Sequence, residues 1–124
     1  MTRDATDSLK VLTLQKRADF LRLRHGKKFT TPYFILRSGP ADVPLGNAVR
    51  VGFTVTTKCG NAVLRNRTKR RLRALVRELF PTHAQAGTDY MFVALAGVTP
   101  SVADAPYEAL RAAMVRALTH GKKP

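Results

Sequence analysis

The chain has 124 residues, 44% of them apolar, and sets 22 Lys and Arg against 8 Asp and Glu for a net charge of +14. That length suits one compact domain, the apolar share excludes a wholly disordered chain, and the charge calls for a polyanionic partner. The single cysteine, Cys59, excludes a disulfide framework and a cysteine-built zinc site; no apolar run reaches a membrane span of ~18–20 residues and no signal-peptide core opens the chain, so a reducing, cytoplasmic setting is expected.

Residues 1–10 are polar and expected to be flexible, as are residues 121–124. Leu14 to Arg24 reads as a helix with Leu14, Ala18 and Leu21 on its buried side and Gly26 as its stop. Tyr33 to Arg37 is aromatic and β-branched behind Pro32 and reads as a strand. Residues 38–48, with two prolines and two glycines, read as a loop. From Val49 to Thr57 the pattern alternates: Val49, Val51, Phe53 and Val55 share one face, Arg50, Gly52, Thr54 and Thr56 the other. A turn at Cys59 and Gly60 then leads into a helix from about Asn61 to Phe80, stopped by Pro81. Tyr90 to Leu95 is a second strong strand. A last helix opens at Asp104 and Pro106, carries Tyr107, Leu110, Met114, Ala117 and Leu118 at helical spacing, and ends before Gly121. The order helix–strand–strand–helix–strand–helix predicts an α+β sandwich, a small mixed sheet packed with helices, in a single domain over residues 1–124.

Between Lys58 and Arg77 lie eight basic residues and no acidic one, six of them arginine. On a helical projection Leu64, Thr68, Leu72, Leu75, Val76 and Leu79 form one stripe, opposite Asn66, Arg70, Arg73 and Arg77, with Arg67 and Arg71 on one flank and Arg65 and Lys69 on the other. An ordinary surface helix mixes signs to gain i,i+4 pairs of ~0.2–0.5 kcal/mol each. Here Arg65/Lys69, Lys69/Arg73 and Arg73/Arg77 are like-charged, which costs stability and is offset by a phosphate backbone. Arginine's planar fork matches phosphate and stacks on bases, and the helix start near Asn61 adds free N–H groups.

The residues offer no catalytic set. His25, His83 and His120 show no spacing for acid–base pairing, and the eight carboxylates include no close pair suited to holding two metals. Cys59 suits a small apolar site, with a reactive thiol as the alternative, because flanking positive charge lowers a thiol pKa. Catalytic and metal-ligating residues are therefore expected to be none.

The run from Lys58 to Arg73, with Gly60, Asn61, Ala62, Val63, Arg65, Asn66, Arg67, Lys69, Arg70 and Arg73 in order, directly after Arg50, Val51, Gly52 and Val55, resembles the signature of the protein subunit of bacterial ribonuclease P. Asp19 with Phe20, and Asp89 with Tyr90, agree as flanks, and the resemblance covers roughly residues 9–118. It implies an α/β sandwich with a left-handed βαβ crossover through the arginine-rich helix, against the usual hand. It also implies a role in a ribonucleoprotein that removes the 5′ leader from precursor tRNA. In that complex the RNA subunit performs the hydrolysis with Mg2+ held mainly by RNA and substrate, and the protein binds that RNA and the leader. Carried over residue by residue, the resemblance assigns Lys58, Asn61, Arg65, Asn66, Arg67, Lys69, Arg70 and Arg73 to RNA binding. It assigns Phe20, Arg37 and Arg50 to a leader-binding cleft between the first helix and the sheet, with core packing the competing role for Phe20. The sequence departs from the family near the cleft: Leu23 and Arg24 replace an aromatic, Arg37 a tyrosine, and Leu95 and Ala96 stand where relatives carry basic residues. No membrane and no obligate protein partner is expected. The alternative is a ribosomal or other structured-RNA-binding protein; a helix-turn-helix DNA regulator fits less well, because strands precede the basic helix.

Overall fold

The computed structural model describes residues 9–121; the expectations for residues 1–8 and for Lys122, Lys123 and Pro124 lie outside them. Along the chain run β1 (Lys10–Thr13), α1 (Arg17–Leu23), β2 (Lys27–Thr30), β3 (Phe34–Pro40), β4 (Ala48–Thr54), α2 (Ala62–His83), β5 (Thr88–Ala94) and α3 (Tyr107–Gly121), with a 3-10 turn at Thr57–Cys59. The strands form one mixed sheet in the order β1-β4-β5-β3-β2. β4 lies parallel to β1 and to β5, whereas β3 is antiparallel to β5 and to β2. α2 is the crossover between the adjacent parallel strands β4 and β5, the βαβ unit that the resemblance implies.

The alternation in β4 decides what each sheet face meets. Val49 and Val51 are buried with Phe34, Leu36, Tyr90 and Phe92 against Leu72, Leu75, Val76 and Leu79 of α2 and Leu110, Met114 and Leu118 of α3, and Phe53 and Val55 pack on the same cluster. Phe92 centres an aromatic group, edge-on to Phe34 (5.4 Å between centroids) and stacked with Phe53 (6.0 Å). The opposite face carries only α1 and a small second cluster of Leu14, Leu23 and Met91, with Phe20 and Val93 beside it.

Several predicted elements need correction. β1 and β2 are edge strands missing from the sequence pattern; each holds its place by backbone pairing with one neighbour, and their side chains are largely exposed. Lys10, expected to be flexible, is the first residue of β1. β3 starts one residue later than predicted and extends through Ser38 and Gly39 to Pro40, so the loop shrinks to residues 41–47. α1 begins at Arg17, and Leu14 packs before it; Ala18 and Leu21 face solvent, and the buried residues are Asp19 and Leu23. β4 stops at Thr54, and β5 begins at Thr88. α2 passes through Pro81 to His83, and Ala84 N–H still bonds the Phe80 carbonyl at 2.9 Å. The proline costs only the bond to the Arg77 carbonyl, and both residues lie on the exposed side of the last turn. α3 begins at Tyr107, after Pro106, and includes Gly121.

Candidate nucleic-acid interface

α2 is built to present its cations outward. Asn61 caps it, its side-chain oxygen accepting from the Leu64 N–H at 2.9 Å. Gly60, at φ +124, makes the turn into the helix, and a Cβ there would sit 2.7 Å from Leu64 Cδ1. The predicted stripe is the docking face: Thr68, Leu72, Leu75, Val76 and Leu79 are buried. Asn66, Arg67, Arg70, Arg73 and Arg77 are exposed on the other side, with Lys58 exposed just before the helix. Among the described residues, none of the basic side chains from Lys58 to Arg77 takes part in an ion pair. Two are held by carbonyls instead: Arg65 donates to Gly60 O (3.1 Å) and Arg71 to Val102 O (2.8 Å). The Arg73 guanidinium lies 6.0 Å from the centre of the Phe53 ring.

The sheet face under α1 holds a groove of about 620 Å3. Its α1 wall is Arg17, Phe20, Leu21 and Arg24, its floor Ile35, Arg37, Thr54, Met91 and Val93. The Phe20 ring packs on Gly52, where a Cβ would come 2.7 Å from Cε1, so the glycine makes the ring's seat. The ring is only half-buried and borders a second groove of about 610 Å3 that reaches Phe53, Lys69 and Arg73. Phe20 thus packs on the sheet and also lines open space. Arg37 donates to the Arg24 carbonyl at the end of α1 (2.8 Å) and keeps its other N–H groups for the groove.

Arg50 stands apart from the other cleft residues. Its Nε donates to Asp89 Oδ1 (2.8 Å), and one terminal nitrogen bonds both Asp89 Oδ2 (2.6 Å) and Asp42 Oδ1 (2.8 Å). The other terminal nitrogen lies 3.7 Å from Asp19 Oδ2. Arg22 joins the same group, reaching Asp89 Oδ2 at 2.5 Å and Asp19 Oδ1 at 3.1 Å. The Asp89 hydrogen bond raises the Arg50 pKa against the opposing effect of burial. For Arg22 burial is the largest single influence and acts downward, but the bonds to Asp89 and Asp19 outweigh it and the pKa is raised. Asp19, Asp42 and Asp89 bring carboxylate oxygens within 4.8 Å of one another. Their separation in sequence hid this. Two guanidiniums already fill the space between them, so the trio does not fit a divalent cation.

Elsewhere Glu78 accepts from Arg111 Nε (2.6 Å) and from the Tyr107 hydroxyl (3.2 Å) on the exposed side where α2 meets α3. Cys59 is half-buried, packs against the main core and donates its Sγ–H to Ala94 O (3.8 Å). His120 packs on Phe29, 4.8 Å between ring centres. Among the described residues no helix is long and apolar enough to cross a membrane.

A mixed sheet with an unneutralised cationic helix on one face, and an arginine-rimmed apolar groove under a short helix on the other, defines an α+β nucleic-acid-binding protein. The ribonuclease P family matches residues 10–122, and the chain belongs to that family. It is 48% identical over 83 residues to the ribonuclease P protein component of Paramagnetospirillum magneticum, an alignment covering 64% of this chain and 62% of that protein's length. The match to the ribonuclease P protein component of Ruegeria pomeroyi is 34% identical over 116 residues and covers 92% of this chain and 90% of that one. The ribonuclease P protein of Thermotoga maritima superposes with a TM-score of 0.73 at 23% identity, over 87% of this chain and 96% of that chain, a likeness of fold.

Proposed function

We propose that this protein is the protein subunit of ribonuclease P, the ribonucleoprotein endonuclease that removes the 5′ leader from precursor tRNA, and that it works in the cytoplasm. The observation that carries the reading is the outer face of α2, where the family signature places Arg67, Lys69, Arg70 and Arg73 and, among the described residues, none has a carboxylate partner. Such a face gains free energy from phosphate by releasing counterions, so it binds the RNA subunit. The groove beneath α1 takes the unpaired leader: its floor is apolar for bases, Phe20 offers a stacking ring, and Arg17, Arg24 and Arg37 flank the backbone. Arg50 does not share that role, since its donors are directed to carboxylates. The Mg2+ of the reaction is held by the RNA subunit and the substrate, because the protein's own carboxylate trio is closed by Arg22 and Arg50. The protein's part is to bind and orient.

Reconstitution tests this. Mixed with a cognate ribonuclease P RNA at low Mg2+, the protein stimulates leader cleavage, and alone it cleaves nothing. Cleavage by the RNA-free protein, or no stimulation and no preference over ribosomal RNA, rejects the proposal.

A further inference from the structure

The proposed leader groove depends on where a seven-residue helix sits, and α1 is too short to hold a helical pose alone. Its apolar anchorage is slight: Leu23 is buried beside Met91, and Phe20 rests on Gly52. The remaining attachment is polar, and apart from the bond of Arg37 to the Arg24 carbonyl it runs through Asp19 and Arg22 to three further elements. Asp19 and Arg22, one turn apart on α1, meet Asp89 at the start of β5 and Arg50 on β4, and Arg22 also donates to the Pro40 carbonyl at the end of β3 (2.9 Å). Asp89 is fully buried and Asp19 is 3% exposed. These carboxylates therefore have no role toward solvent, and their charge is met inside the molecule.

From this juxtaposition we infer that Asp19, Arg22, Arg50 and Asp89 are positioning residues: together they lock α1 against the sheet and so set the width of the groove in which the leader lies. The inference rests on the proposed function for the identity of the ligand. Two physical points support it. Asp19 and Asp89 line neither groove and are closed off from solvent, so their charge serves to orient two guanidiniums. A buried ionic group is also a poor way to gain stability, since apolar residues of similar volume do as well or better. What it supplies is direction: bidentate and bridging bonds tolerate one pose of the helix, whereas Leu23 and Phe20 alone would let it slide.

The test compares wild type with Asp19→Asn and, separately, Arg22→Lys in the reconstituted holoenzyme. Three quantities are read: affinity for precursor tRNA carrying a leader against mature tRNA, affinity of the protein for the RNA subunit, and hydrogen exchange of the α1 and α2 amides. Asp19→Asn should lower the preference for leader-bearing substrate about tenfold while RNA-subunit affinity stays within about twofold. Protection should fall in α1 and persist in α2. Arg22→Lys keeps the charge but loses the fork, so it should show the same split more weakly and serves if Asp19→Asn does not fold. A preserved leader preference alongside a lowered melting temperature would overturn the inference and leave the cluster merely structural; so would equal losses for both tRNAs. If the wild-type holoenzyme itself shows no leader preference, the failure belongs to the proposed function.

Discussion

Arginines do two different things in this molecule. On the outer face of α2 Arg67, Arg70, Arg73 and Arg77 are exposed and, among the described residues, in no ion pair, and each repels its i,i+3 or i,i+4 neighbour. Beneath α1, Arg22 and Arg50 are surrounded by Asp19, Asp42 and Asp89 and bind parts of the same chain to one another. The residue type is the same, and the difference lies in where the counter-charge comes from. A cation whose partner is internal contributes to shape; a cation left without one contributes to binding. Net charge alone would have counted all of them as RNA contacts.

The contrast breaks most visibly in stability. Asp89→Ala should cost about 3–5 kcal/mol in urea unfolding of the free protein, because two guanidiniums lose the carboxylate they share. Arg67→Ala with Arg70→Ala should change stability by less than about 0.5 kcal/mol. Similar losses from the two would erase the distinction. In RNA binding the order reverses. The double substitution on α2 should reduce the magnitude of the salt slope for the ribonuclease P RNA by about two, roughly one per lost phosphate contact. Binding isotherms over a salt series measure it, and slopes that overlay wild type would remove α2 from the interface. Arg65→Ala should lose both binding and melting temperature, since its side chain also holds the Gly60 carbonyl.

Phe20 sits between the two regimes. Phe20→Ala should weaken holoenzyme affinity for leader-bearing over mature tRNA, with a base stack worth ~1–3 kcal/mol. Gly52→Ala sharpens the point, because its Cβ displaces the ring without removing it; the same loss of leader preference is expected. Equal losses for both tRNAs would assign Phe20 to packing alone.

The smallest effect is one of pH. The hydrogen bond from Arg50 holds the Asp42 carboxyl below its ordinary value of 3.8. A depressed folded pKa stabilises the fold above the unfolded value and loses that stabilisation as pH falls through the folded one. Thermal melts should therefore separate wild type from Asp42→Asn at pH 5–7 and bring them together only as the pH falls past 3.8 and through the lower folded value. A constant difference across that range would show that the Asp42 charge does not matter.

The regular elements were legible where one periodicity ruled: the alternation of β4 and the stripe of α2 each put the right residues inward. α1 was misread because its buried face holds an aspartate, so the apolar residues Ala18 and Leu21 pointed to the wrong side. β1 and β2 carry no pattern, since edge strands are defined by backbone pairing that side chains do not encode. The cationic surface was readable from charge density. The ion cluster was not, because Arg22 and Asp89 are 67 positions apart and only the assembled sheet brings them together. Arg50 was misjudged for the same reason: the alternation says which face it occupies, and nothing local says that carboxylates are waiting there.

The strand order has a consequence for synthesis. β5 is the middle strand, and on either side of it lie β1 with β4 and β2 with β3. A nascent chain that ends before Thr88 therefore has two separate strand pairs and no sheet joining them. In such a chain the apolar stripe of α2 has no complete sheet to pack on. Docking of β5 joins the two pairs and delivers Asp89 to Arg50 in one event, so the sheet and the groove form together.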